Sequence, residues 1–185
     1  MKNQYFGDIN DYRKYGLLRI LQSKGSARLL VAWMLTPDDG RPDGKLRNFL
    51  HAPDRWMQYD PELYTGLSGL LQQASNPAVS LMESSTLLPR TFFYSVLVPD
   101  GADERGVWRH GLLNAARSAD IVFVDPDNGI QVASKPVGRK DSSKFVTWQE
   151  IQGLWQMGCS ILIYQHFRRE PRVAFAVRSV SEIRE

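Results

Sequence analysis

The chain has 185 residues, 43% of them hydrophobic and 11% aromatic, which is enough apolar side chain for a packed core and excludes a wholly disordered polypeptide. Lys and Arg number 23 against 20 Asp and Glu, a net charge of +3 that permits a nucleic-acid partner without requiring one. One cysteine, Cys159, rules out an internal disulfide framework, and no apolar run reaches the ~18 residues of a membrane span.

No signal-peptide core opens the chain, so the expectation is a single domain over residues 1–185, cytoplasmic and away from membranes. The first predicted element is a helix in which Tyr12, Tyr15, Leu18 and Leu21 recur at helical spacing. Asp11 stands at or near its N-cap, and Ser23-Lys24-Gly25 closes it. An aromatic loop, Tyr5-Phe6-Gly7-Asp8, precedes it. Residues 29–35 (LLVAWML) form an apolar run of strand type that empties into TPDDGRPDGK, with Asp38, Asp39 and Asp43. Asp60-Pro61 starts a second helix to about Ala74, with Pro at its first position. Residues 92–98 are a strand, and residues 103–117 an amphipathic helix covering the sheet.

Residues 119–132, ADIVFVDPDNGIQV, are the stretch on which the chain turns. Ile121, Val122, Phe123 and Val124 make a short buried strand, which stops at Asp125-Pro126-Asp127-Asn128-Gly129. Pro126 cannot donate to a ladder and Asn128-Gly129 tolerates positive φ, so two carboxylates and a carboxamide sit where a buried strand emerges. A polar loop with Lys135, Arg139, Lys140 and Lys144 follows and is expected to be mobile; its functional version is a lid that contacts phosphate. Thr147 or a neighbour caps a helix through Met157. Residues 159–164 (CSILIY) give another buried strand, ending in Gln165-His166-Phe167-Arg168-Arg169, and residues 173–177 a last strand. Trp33 and Trp155 fit a core by position, whereas Trp56, Trp108 and Trp148 are candidate exposed stacking platforms.

Helices alternating with apolar strands predict an α/β fold: a three-layer Rossmann-like domain whose mostly parallel sheet is flanked by helices. Three strands end in polar loops (TPDDG, DPDNG and YQHFRR) on what should be one edge, the edge where such sheets bind ligands.

The run Gly7-Asp8-Ile9-Asn10-Asp11-Tyr12-Arg13-Lys14-Tyr15, followed by Leu17-Leu18, is similar to the N-terminal motif of the large-subunit ribosomal-RNA adenine-N6 methyltransferases. That motif has Gly, then Asn, two residues, Asp, two residues and Lys-His before a leucine-rich helix. Asp125-Pro126-Asp127-Asn128 resembles the D-P-P-[YF] motif at the end of that family's fourth strand. The resemblance implies a bacterial or phage protein that binds S-adenosylmethionine and methylates an amino group of a nucleic-acid base. Gly7, Asp11 and Lys14 would shape or line the cofactor site, and Asp38 and Asp39 would approach the methionine end. Asp125 would accept the N–H of the target amine, a poor nucleophile when conjugated to a ring. The motif's aromatic is replaced here, with Asn128 in its region and Asp127 adding a second charge. Asp127 and Asn128, where the chain departs from the motif, stand with Asp125 as candidate catalytic residues, and His166 joins them beyond the fifth strand.

Two other classes fit the same residues. Asp125 and Asp127, with Asp38, Asp39 or Asp43, could form an oxygen-rich Mg²⁺ site for nuclease or phosphotransferase chemistry, with His166 as acid or base. Alternatively, the domain binds a nucleotide without catalysis. Three His and one Cys, scattered along the chain, argue against a structural zinc site.

Overall fold

The computed structural model describes residues 1–41, 46–167 and 170–184. Helix α1 spans Ile9–Ser23, strand β1 Leu29–Ala32, helix α2 Pro53–Trp56, α3 Pro61–Gln73 and α4 Ser80–Glu83. Strand β2 (Thr91–Tyr94), helix α5 (Ala102–Ala116) and strand β3 (Ile121–Val124) follow. The chain closes with β4 (Gly129–Ile130), β5 (Phe145–Val146), α6 (Trp148–Gln156), β6 (Ser160–Ile163) and α7 (Arg172–Arg184).

Four strands form one parallel sheet in the order β2-β1-β3-β6, and β4 pairs in parallel with β5 as a separate two-stranded ladder. Side chains alternate across β1: Leu29, Val31 and Trp33 enter one core with Tyr12, Tyr15, Leu63 and Leu67 of α1 and α3. Leu30, Ala32 and Met34 enter the other, with Trp108, Leu112 and Leu154 of α5 and α6. The sheet is therefore covered on both faces, as its near-continuous apolar strands require, and the fold is a three-layer Rossmann-like α/β arrangement. From β1 the chain first adds β2 on one side and later β3 on the other. The switch point thus lies between β1 and β3, where such sheets open a crevice at their carboxyl edge.

Several elements differ from the sequence expectation. Residues 173–177 are not a strand but the start of α7: Phe175 N–H bonds back to Pro171 O, and Arg178 pairs with Glu170 and Glu182. The alternation of Val173, Phe175 and Val177 suggested a strand, but the apolar spacing continues through Val180 and Ile183 at helical period. Strand β1 stops at Ala32, short of the 29–35 run, and Met34 then turns at φ +48° while fully buried. The loop expected to be mobile contains β5 and is pinned by Asp100, whose carboxylate accepts from Asp141 N–H and Ser143 N–H. Trp108 is buried and Trp155 lies 70% exposed, the reverse of their expected places. Among the described residues no helix is long and apolar enough to cross a membrane.

Candidate functional site

Pro126 ends β3, and Gly129 at φ +97° turns the chain into β4. A β-carbon on Gly129 would collide with the Gln165 amide; its absence lets Gln165 Oε1 accept from Ile130 N–H at 2.8 Å, tying the turn to the end of β6. The helix start opposite is fixed by Asp8, the true N-cap one turn before the expected Asp11: its carboxylate accepts from Asn10 N–H and Asp11 N–H. Asp11 in turn accepts from Gly7 N–H at 2.8 Å. Gly7 sits at φ +81° with Leu71 packed where a β-carbon would be, so it shapes the helix entry from behind.

These devices frame a cleft of about 320 Å³ at the carboxyl edge beside β3. Asp8, Asp11 and Lys14 line it from α1, Asp125, Asp127 and Asn128 from the turn, and Tyr164 and His166 from beyond β6. Lys14 is buried between two carboxylates, 2.8 Å from Asp11 Oδ1 and 2.6 Å from Asp125 Oδ2, and its ammonium lies 4.7 Å from the Tyr164 ring centre. Burial works against that ammonium, but Asp11 and Asp125 together raise its pKa. Burial pushes the Asp11 carboxyl up to about 6, with Lys14 opposing and the charges of Asp8 and Asp125 adding to the rise. Among the described residues no donor reaches Asp125 Oδ1.

The ammonium of Met1 enters the switch point itself, donating to Met34 O at 3.2 Å and Asp125 O at 3.0 Å and pairing with Asp127 Oδ1 at 2.7 Å. Burial would raise the Asp127 pKa, but that ammonium and the Thr36 hydroxyl hold it below the ordinary carboxylate value. His166 packs edge-on against Tyr164 with centroids 4.8 Å apart, and crowding by neighbouring atoms lowers its pKa.

Comparison with protein-family models, curated proteins and solved structures gave no match to this chain.

Of the residues singled out in the sequence, Asp11, Lys14, Asp125, Asp127, Asn128 and His166 meet in this one cleft. Asp38 and Asp39 do not line it; they bind the chain's first residues, Asp38 accepting from Gln4 N–H and Asp39 pairing with Lys2 at 2.6 Å. Lys2 holds Asp39 down at about 2. Asp43, Arg168 and Arg169 fall outside the described residues. Asp8, Asn10 and Tyr164 also line the cleft without having been singled out. The spacing Asp8-x-x-Asp11 at a helix start was the available signal for the first. Asp125 and Asp127 face different cations, Lys14 and Met1, and among the described residues no three His, Cys, Asp or Glu side chains converge as a metal-binding group.

Proposed function

We propose that the cleft binds S-adenosylmethionine and that the protein methylates an amino group of a nucleic-acid base. The observation that carries this reading is Asp125: a carboxylate at the end of a central strand, beside the switch point, anchored on one oxygen by a buried ammonium and open on the other. The lining fits the cationic part of the cofactor. Four carboxylates, those of Asp8, Asp11, Asp125 and Asp127, outnumber the two ammonium groups, so the cleft favours a further positive centre. Its volume lies at the lower end of small-molecule sites.

When bound, the cofactor supplies an electrophilic methyl group. This chain's residues do the rest. Lys14 holds Oδ2 of Asp125 and fixes the plane of its carboxylate, and Asp125 Oδ1 accepts an N–H of the target amine, holding back the electron withdrawal of the ring. His166, kept neutral near pH 7 by its lowered pKa, accepts the proton that the methylated amine releases. Asp127, occupied by Met1 and Thr36, positions the turn and touches neither reactant.

Calorimetric titration with S-adenosylmethionine and its demethylated product tests the reading. Saturable binding, weakened about tenfold or more in Asp125→Asn, is expected, followed by transfer of labelled methyl to RNA or DNA. Absence of cofactor binding together with Mg²⁺ binding that Asp125→Asn abolishes would replace methyl transfer by phosphoryl chemistry.

A further inference from the structure

A second cleft, of about 380 Å³, opens where the first turns of α5 and α6 converge. Both helices begin on the carboxyl edge of the sheet, since α5 follows the parallel strand β2 and α6 leads back into the parallel strand β6. Arg105 reaches from α5 to α6 and is 3% exposed. Its Nε and Nη2 form a two-pronged pair with Glu150 at 2.6 and 2.8 Å, and Nη2 also donates to Phe145 O at 2.8 Å. The guanidinium carbon lies 5.0 Å from the Trp108 ring centre, so the group is locked in place. Nη1, on the far edge of the fork from Glu150, is buried and has no partner among the described residues, while the side chain lines the cleft. A charged N–H left unpaired in this way is costly, and an oxyanion in the cleft would satisfy it.

The wall opposite supplies further donors. In α6 the Thr147 hydroxyl accepts from Glu150 N–H and the Glu150 carboxylate from Thr147 N–H. Trp148 N–H and Gln149 N–H, the first two of the helix, have no partner among the described residues. Arg109, one turn beyond Arg105, lines the same cleft and donates to the Gln149 side chain. Because Glu150 is neutralised by Arg105, the charge left in the cleft is that of Arg109 and the positive end of α6. Asp103 and Glu104, on the first turn of α5, do not line it.

From this arrangement we infer that the α5–α6 cleft is a phosphate subsite that takes a backbone phosphate of a nucleic-acid strand. Arg109, Arg105 Nη1 and the N–H groups of Trp148 and Gln149 are its donors. The choice of a strand as the phosphate's source rests on the base-methylation reading; the affinity for phosphate does not. Asp125 and Gln131, one on each cleft, are six residues apart, so no more than about 22 Å separates them. A short single strand can occupy both.

The test follows the Trp148 and Gln149 amide resonances while inorganic phosphate, and separately a ten-nucleotide single strand, is added to the full chain. Both probes should shift these amides saturably. Arg109→Gln, a half-exposed position whose loss leaves the Arg105–Glu150 pair intact, should weaken both about tenfold and lower the salt dependence of strand binding by about one phosphate. Amides that stay still under phosphate would overturn the subsite. Phosphate binding without strand binding would overturn the assignment to nucleic acid. Failure of S-adenosylmethionine to bind, with both amide responses intact, would sink the methyl-transfer reading and leave the subsite standing.

Discussion

Two carboxylates share one ammonium in the Asp11–Lys14–Asp125 cluster, so the buried group carries a surplus negative charge near neutral pH. Its release falls on Asp11, whose folded pKa of about 6 stands above the ordinary 3.8. The folded state therefore binds that proton more tightly than the unfolded chain. The corresponding stability is fully present below pH 3.8 and is lost as pH rises through 6. Asp127 works the other way, its lowered pKa adding stability that disappears in more acid solution. Urea denaturation should accordingly show the protein gaining roughly 2 kcal/mol between pH 7 and about pH 4.5 from the Asp11 site. In Asp11→Asn that gain should vanish, and an unchanged pH profile in the variant would show that another group titrates. Asp11, Lys14 and Asp125 stand out separately in the sequence, the first two through a motif and the third through its place after a strand. The Lys14–Asp125 contact spans 111 positions and leaves no local pattern. Which of Asp8 and Asp11 caps the helix was visible only as a choice, because two aspartates three apart serve as cap alternatives.

The elements with strong local signals were legible: Asp60-Pro61 opens α3, Thr147 caps α6, and the apolar runs of β1, β3 and β6 are strands of the parallel sheet. The last helix was not, since over five residues an alternating apolar pattern fits either period. Trp108 and Trp155 were misplaced for a related reason. Helix α5 turns Trp108 inward and donates its indole N–H to Val96 O, a partner that only the fold supplies. The α6 cap carries a prediction of its own. Thr147 satisfies the helix start and orients Glu150, which in turn holds Arg105. Thr147→Ala should cost about 1–2 kcal/mol in thermal or chemical unfolding, whereas Thr147→Ser, keeping the acceptor oxygen, should stay near the parent. Equal losses in both variants would mean that the threonine methyl, not the cap, carries the contribution.

At the scale of the molecule, the two cores lie on opposite faces of the sheet, and β1 and β3 contribute to both. Each of those strands has a hydrogen-bonded neighbour on both sides and side chains buried on both faces. Strands β2 and β6 lie at the edges of the described sheet, with Phe92 49% exposed on the first and Ser160 exposed on the second. Helix α7 buries Phe175 alone among its described residues, while Val173, Val177, Val180 and Ile183 face outward. Opening free energy should fall in that order, because it follows the apolar contact each element loses when it detaches. Native-state hydrogen exchange should therefore find the β1 and β3 amides slowest, at the global unfolding free energy. The β2 and β6 amides should come next, and those of α7 should open well below them. The carboxyl ends of β3 and β6 bound the candidate cleft, so this order sets the Asp125 turn on one of the most stable strands and leaves ligand adjustment to the N-terminal segment and His166. Exchange at α7 as slow as at β1 would break the ordering, and its dependence on protein concentration would then show whether a second chain covers the exposed valines.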